Sequence, residues 1–151
     1  MLWLDVDLVD YPADIIERLL AAGKEIVQPH CVNAATGATF DLNAWRDKGH
    51  RRMNDLRREG DLVKLHAVGG TMLLVKGDVH REGLVFPTFL YGKKSLLIRA
   101  NNGMVKYREI HKRWRGEHYG EIETEGLGIM AHDMGYECWG MPNLEIKHWN
   151  G

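Results

Sequence analysis

Two aspartates separated by one residue follow the first apolar run of this chain, and they constrain the local fold more than any other feature. Residues i and i+2 of an extended strand point to the same side. Asp5 and Asp7 would therefore direct two carboxylates to one point, where they repel each other unless a cation lies between them. Hard oxygen ligands at a strand end suit Mg²⁺ or Mn²⁺. A pair of turn aspartates that simply ends a strand is the alternative, and the pair alone does not decide between them.

The order of apolar segments predicts an α/β domain. Residues 1–4 are typical of a buried strand and residues 5–10 of a turn, while Pro12 and Gly23 mark the two ends of a helix that leads to a strand over 25–29. This strand–helix–strand unit is typical of a sheet covered by helices. The further predicted elements are a solvated helix over 46–59, a strand over 72–75, a helix over 121–136 and strands over 137–141 and 144–149.

The composition favours a single domain that spans residues 1–151. Hydrophobic residues make up 44% of the chain, which is enough for a core, and the net charge of -1 gives no general attraction for nucleic acid or acidic membranes. The sequence contains no run of about 18 apolar residues, so no membrane segment or signal peptide is expected. Cys31 and Cys138 belong to no metal-binding spacing and are expected to be buried free thiols.

One segment differs from the rest of the chain in its charge. Residues 88–120 contain eight lysines and arginines and only two glutamates. This composition predicts a basic insertion, either a solvated hairpin or a loop that attracts an anionic substrate.

Three functions from different classes fit the aspartate pair. The first is sugar transfer from a nucleotide-sugar donor, which needs a divalent ion to offset the charge on the leaving diphosphate. The second is phosphoryl transfer by a haloacid-dehalogenase-like phosphatase, in which Asp5 is the nucleophile and Asp7 the general acid/base. That fold needs a late aspartate pair, which residues 134–140 do not offer. The third is a non-catalytic subunit or fragment that retains a metal-site relic.

Several sequence blocks occur in the order of a known family. The chain resembles the fungal mannan polymerase subunits, which are α-1,6-mannosyltransferases of glycosyltransferase family 62. The resemblance implies a GT-A fold, an α/β sandwich that binds a nucleotide sugar. The matching blocks are residues 4–7, 11–16, 40–45, 68–71, 74–81, 85–87, 123–126, 135–136 and 140–143, followed by His148.

The resemblance also implies a metal centre. Asp5 and Asp7 match the pair that binds Mn²⁺, or Mg²⁺, beneath the diphosphate of GDP-mannose, and His148 matches the histidine that completes the site. The implied reaction moves mannose to a glycan acceptor and retains the configuration at the sugar carbon.

Two further groups of residues match functional motifs of the family. Gly69 and Gly70 match a glycine loop that lines the sugar and acceptor region, and with Thr71 they are the expected substrate-binding residues. Glu123 and Glu125 match an acidic motif at the start of a helix near the sugar, and they are the catalytic candidates. Stabilisation of the helix N-terminus is the alternative role for these two glutamates.

The chain also differs from the family in the regions that it contains. The family carries a nucleotide-binding region and a membrane anchor before its aspartate pair, so this chain is expected to be an N-terminally truncated GT-A-like domain. The missing region predicts a partner chain or a homo-oligomer, and the family implies the Golgi lumen.

Overall fold

The computed structural model describes residues 1–88, Tyr91 and 123–149, and this part of the chain forms a mixed α/β structure around one large sheet. The strands are β1 (Leu2–Leu4), β2 (Leu8–Asp10), β3 (Ile26–Asn33), β4 (Trp45–Arg46), β5 (Arg51–Arg52), β6 (Val63–Leu65), β7 (Met72–Val75) and β8 (Cys138–His148). The α-helices are α1 (Ile15–Ala21), α2 (Met53–Leu56), α3 (Gly77–Arg81) and α4 (Glu123–Asp133), and 3₁₀ helices span Asp47–Gly49 and Arg57–Glu59.

The large sheet is mixed, which confirms the predicted α/β class. Its strand order is β1–β7–β3–β8–β2, and β6 pairs with the beginning of β8. Strands β3 and β8 are parallel, whereas β7 is antiparallel to both β1 and β3. Strands β1, β3 and β8 therefore run in the same direction, and their carboxyl ends meet at one end of the sheet. In open α/β sheets, ligands bind at that end.

Hydrophobic cores cover both faces of this sheet. Neighbouring residues of β3 point in opposite directions, so Ile26 belongs to one core and Val27 to the other. Ile15 and Leu19 of α1 close the core around Val27, while Leu127 of α4 packs in the core around Ile26. Burial on both faces explains why β3 is an almost continuous buried run rather than an alternating one.

The prediction of one helix over 46–59 was wrong. The β4–β5 hairpin, α2 and two 3₁₀ turns occupy this stretch instead. Tertiary contacts override the local pattern, because Met53 and Leu56 are buried in the core and both Arg46 and Arg51 pair with Glu59.

Two other predicted boundaries also differ from the structure. Residues 8–10, expected to be part of a turn, form β2 and pair with the end of β8. The two strands predicted over 137–141 and 144–149 are one strand, β8, with an irregularity after Met141 where the register to β3 shifts. Such a bulge keeps the strand in the sheet although Pro142 lacks a backbone donor.

The predicted helices over 12–22 and 121–136 are present as the shorter α1 and α4. Gly23 ends the first with a positive φ of 62°. None of the helices in the described part of the chain has the length and apolar character that a membrane crossing requires. Except for residue 88 and Tyr91, the basic segment predicted over 88–120 lies outside the described residues.

The two cysteines are free and buried, as the sequence predicts. Burial raises the pKa of the Cys31 thiol to about 11 and that of the Cys138 thiol to about 12. Because the thiolate is the reactive form, we expect neither cysteine of the native protein to react with Ellman's reagent at about pH 8 within minutes. Both should react after unfolding in guanidinium chloride. Rapid labelling of the native chain would contradict the buried placement.

Candidate metal centre and adjoining pocket

The connection between β1 and β2 brings both aspartates to the carboxyl end of the sheet. The Asp5 N–H donates to the Thr71 carbonyl at 3.0 Å, and the Trp149 N–H donates to the Asp7 carbonyl at 3.1 Å. The connection thus runs across the sheet end from the β7 side to β8. Asp5 and Asp7 lie in this turn, not inside a strand, and the fully exposed Val6 points away between them.

The structure brings together the three residues predicted as metal ligands. The Nε2 atom of His148 lies 2.9 Å from Oδ1 of Asp7 and 3.9 Å from Oδ2 of Asp5. One potential ligand atom from each residue lies within 4.8 Å of the other two. The imidazole is buried, with 6% of the residue exposed, whereas about half of each aspartate side chain faces solvent. This arrangement gives one fixed ligand from inside and two carboxylates open to an incoming ion.

The hydrogen bond on the other ring nitrogen of His148 fits a metal ligand. Nδ1 lies 2.5 Å from the Trp149 carbonyl oxygen, and because a carbonyl only accepts, Nδ1 is the nitrogen that carries the proton. In the neutral ring, Nε2 presents a lone pair to the two carboxylates, so either a proton or a cation has to lie between these three groups. Metal-binding histidines typically donate their second ring N–H to a backbone carbonyl in this way.

The spacing and electrostatics of the two carboxylates also suit a divalent ion. Ligands in adjacent octahedral positions at about 2.1 Å from an ion lie about 3 Å apart, close to the 2.9 Å between His148 and Asp7. Partial burial and then the Asp7 carboxylate raise the pKa of the Asp5 carboxyl above its usual value. A cation at this point would stabilise the ionised form of both carboxylates. Two carboxylates and one imidazole are a donor set that fits Mn²⁺ or Mg²⁺.

An open pocket of about 410 Å³ adjoins the candidate metal centre. Asp5 forms one wall, and the pocket is open to solvent. Residues from three separate stretches of the chain complete it, namely Phe40, Asp41, Leu42, Asn43, Gly70, Thr71, Glu123 and Thr124.

Asp41 is a residue of this pocket that the sequence does not single out, although it lies in the matching block over 40–45. It is only 7% exposed, and its Oδ2 accepts a hydrogen bond from the Thr71 hydroxyl at 2.9 Å. Its Oδ1 accepts from the Asn43 N–H at 3.1 Å. This buried carboxylate holds the 40–43 loop against the start of β7, and it lines the same pocket as Asp5. The Asp-x-Asn spacing was the available signal, because an aspartate commonly accepts from the backbone two residues on.

The predicted glycine loop lies beside the pocket, and its members have different roles. Gly70 and Thr71 line the pocket, and a Cβ at Gly70 would lie 2.7 Å from Cγ2 of Thr124. Gly69 lies behind them, where a Cβ would coincide with the carboxylate of Asp41. The Gly69 N–H donates to the side-chain oxygen of the buried Gln28 at 2.7 Å. Gly69 therefore allows close packing of Asp41, while Gly70 and Thr71 are the two that a ligand can reach.

The two glutamates of the acidic motif point to different surroundings. Glu123 is exposed, lines the pocket and has a positive φ of 50°, an uncommon conformation for a residue with a side chain. Glu125 accepts a hydrogen bond from the indole N–H of Trp45 at 2.7 Å, and Trp45 is buried. Glu123 is thus the one placed beside Asp5 in the pocket, whereas Glu125 connects α4 to β4. Their catalytic roles stay predictions.

A polar network around the buried His30 supports the loop that carries Phe40 and Asp41. Arg57 hydrogen-bonds to Nδ1 of His30 at 2.9 Å and pairs with Glu145. Because a guanidinium only donates, Nδ1 of His30 accepts, and its Nε2–H donates to the Thr39 hydroxyl at 2.9 Å. The buried imidazole is therefore held neutral in one tautomer, and it links β3 to the loop next to the site.

Partly or fully buried histidines predict that the chain loses stability below neutral pH. Burial is the main cause that lowers the pKa of His30, His66 and His132 from the ordinary value of 6.5. As the pH falls through that value, the unfolded chain binds protons that the folded chain excludes, so stability decreases with decreasing pH. We expect a lower urea midpoint at about pH 5.5 than at about pH 7.5. His30→Gln, which keeps an acceptor and a donor but does not titrate, should weaken this dependence. Equal midpoints at the two pH values would contradict the expectation.

Comparison with known proteins gives related sequences over the whole site region. The chain is 27% identical to the mannan polymerase complex subunit MNN9 of Candida albicans, covering 99% of this chain and 44% of that protein. It is 25% identical to the mannan polymerase complex subunit mnn9 of Schizosaccharomyces pombe, covering 99% and 46%. It is 24% identical to the mannan polymerase I complex VAN1 subunit of Saccharomyces cerevisiae, covering 97% and 29%.

The chain spans less than half the length of each of these relatives. The sequence profile of the Anp1 family matches residues 1–57 and 50–90, a stretch that includes Asp5, Asp7, Asp41 and the glycine loop. Since this match covers more than half of the 151 residues, the chain belongs to the Anp1 family.

Proposed function

We propose that this chain is a metal-dependent glycosyltransferase domain of the GT-A type. The observation that carries the proposal is the convergence of Asp5, Asp7 and His148 on one point at the carboxyl end of the sheet, beside an open pocket. A hexosyl transfer from a nucleoside diphosphate needs a divalent cation at the diphosphate and space for two substrates. The mixed sheet with cores on both faces is compatible with the GT-A sandwich.

The names of the relatives support mannose as the transferred sugar. Three relatives across three yeasts are named as subunits of mannan polymerase complexes. From the resemblance of the sequence blocks we further propose membership of glycosyltransferase family 62, with GDP-mannose as donor, a glycan as acceptor and retention of configuration. The net charge of -1 gives no reason to expect nucleic acid as a partner.

Each residue of the site has a role in this proposal. Asp5, Asp7 and His148 hold Mn²⁺ or Mg²⁺, which when bound offsets the charge that builds on the leaving diphosphate. Gly70 and Thr71 form the wall against which the sugar lies, because a side chain at residue 70 would fill that space. The exposed Glu123 orients the acceptor hydroxyl or the donor sugar from across the pocket.

A non-catalytic subunit is the second candidate, favoured by a specific observation. Each of these three relatives is named as a subunit of a complex. In that case the metal centre binds an ion, and a partner chain or a second copy completes the donor pocket. The phosphatase alternative predicts instead that the chain hydrolyses a small phosphomonoester with Mg²⁺ and that Asp5→Asn abolishes this activity.

Calorimetric titration of the chain with GDP-mannose, with and without Mn²⁺, separates these functions. The glycosyltransferase proposal expects binding that requires Mn²⁺, followed by transfer of mannose to a mannoside acceptor. Binding of Mn²⁺ without binding of GDP-mannose would favour the non-catalytic subunit. Absence of Mn²⁺ binding would refute the metal centre, and turnover across a panel of phosphomonoesters would favour the phosphatase.

A further inference from the structure

We propose that Phe40 is a positioning residue for the metal ligand His148, whose ring it holds in the plane that directs Nε2 between the two aspartates. The inference rests on the proposed function, because it assigns a purpose to Phe40 only if the centre binds a metal ion. No motif in the sequence points to this role, since Phe40 lies 108 positions from His148.

The two rings form a close face-to-face contact. Their centroids are 3.8 Å apart and their planes differ by 12°. The Phe40 ring also packs against the hydrophobic core on the α1 side of the sheet, and it lines the pocket beside Asp5. It therefore occupies the space into which the imidazole would otherwise tilt.

Two contacts together determine the orientation of the imidazole. The hydrogen bond from Nδ1 to the Trp149 carbonyl decides which nitrogen faces the carboxylates. It leaves the tilt of the ring plane unrestrained, and the stacked Phe40 restrains it. With both in place, Nε2 lies 2.9 Å from Oδ1 of Asp7. A ligand oriented in advance loses less conformational freedom when it binds the ion.

The backbone around Phe40 is itself fixed to the central strand β3. The Phe40 N–H donates to the Cys31 carbonyl at 2.9 Å, and Thr39 forms a β-bridge with Val32. The Thr39 hydroxyl is held by the buried His30. The His30 network thus anchors the Phe40 ring, and this chain of contacts ends at the metal ligand.

Replacement of Phe40 by leucine separates positioning from ordinary packing. Leucine keeps an apolar side chain but removes the flat ring face, so we expect Phe40→Leu to raise the Kd for Mn²⁺ by about tenfold, as for other residues that orient metal ligands. Phe40→Tyr keeps the ring face and should restore the affinity. Phe86→Leu is the matched control, since Phe86 is also partly buried and contacts a ring, Trp3, at 5.0 Å but lies outside the site.

The measurements are calorimetric Mn²⁺ titration and thermal unfolding of each variant. Positioning predicts that both leucine variants lose similar stability while only Phe40→Leu loses metal affinity. Equal Mn²⁺ affinity of Phe40→Leu and the unmodified chain would overturn the inference and leave the metal centre intact. Absence of Mn²⁺ binding by the unmodified chain would overturn the proposed function as well.

Nuclear magnetic resonance of the unmodified, metal-free chain gives a second readout that needs no variant to fold. The proton on Cε1 of His148 should resonate upfield of its usual position because the stacked Phe40 ring shields it. An unshifted resonance would show that the two rings do not stay stacked in solution and would overturn the inference.

Discussion

Replacement of Asp7 by asparagine is expected to lower the affinity of the chain for Mn²⁺ by about 100-fold or more. Asparagine keeps the size and one oxygen of the side chain but removes the charge that a divalent cation needs. Asp7 is the carboxylate nearest to His148, and half of its side chain is open to an incoming ion. Its loss therefore removes one of two anionic ligands without disturbing the core. Calorimetric titration with Mn²⁺ measures the effect.

Asp10→Asn is the matched control for this substitution. Asp10 lies three positions from Asp7 in the sequence, and its exposed carboxylate pairs with Lys147 at 2.7 Å. The control removes the same charge from the same edge of the sheet, and an exposed ion pair contributes little to stability. Equal losses of Mn²⁺ affinity in the two variants would mean that general charge, not ligation by Asp7, attracts the ion. Asp5→Ala and His148→Ala should weaken binding in the same way as Asp7→Asn.

The structure places the two aspartates close together, but not for the reason that their spacing suggests. The i, i+2 spacing suggests one face of a strand, whereas Asp5 and Asp7 lie in the turn after β1. They converge because backbone hydrogen bonds attach the turn to Thr71 on one side and to Trp149 on the other. These contacts depend on the order of the strands in the sheet, which cannot be inferred from the spacing of two residues.

Two further features could not be predicted from the sequence, because each depends on a contact between residues that are distant in the chain. The role of Asp41 depends on Gly69, and the orientation of His148 depends on Phe40, and both pairs meet only when β3, β7 and β8 assemble. Residues 46–59 were predicted as one helix because, of the described side chains in this stretch, only Met53 and Leu56 are buried, too few to show where a helical period begins and ends. By contrast, α1 and β7 carry strong local signals, and both are present.

Replacement of Gly69 by alanine is expected to destabilise the chain by about 3 kcal/mol, the largest stability loss predicted for this region. The new methyl group would occupy the position of the Asp41 carboxylate. Asp41 would have to turn away, which breaks its hydrogen bond to the Thr71 hydroxyl and leaves a buried charge without its partner. Urea unfolding measures the free energy, and the melting temperature should fall by about 10 °C.

Gly77→Ala and a double-mutant cycle test the cause of this loss. At Gly77, the first residue of α3, an added Cβ would meet only the Arg81 side chain at 3.6 Å, so alanine should be neutral or slightly stabilising there. If the clash with Asp41 is the cause, Gly69→Ala should cost much less in a chain that already carries Asp41→Ala, because the carboxylate is gone. The coupling free energy between the two positions should then be about 2 kcal/mol. Additive effects would instead mean that alanine at position 69 destabilises the chain without acting through Asp41. The packing of Asp41 against Gly69 would then not be the cause of the loss.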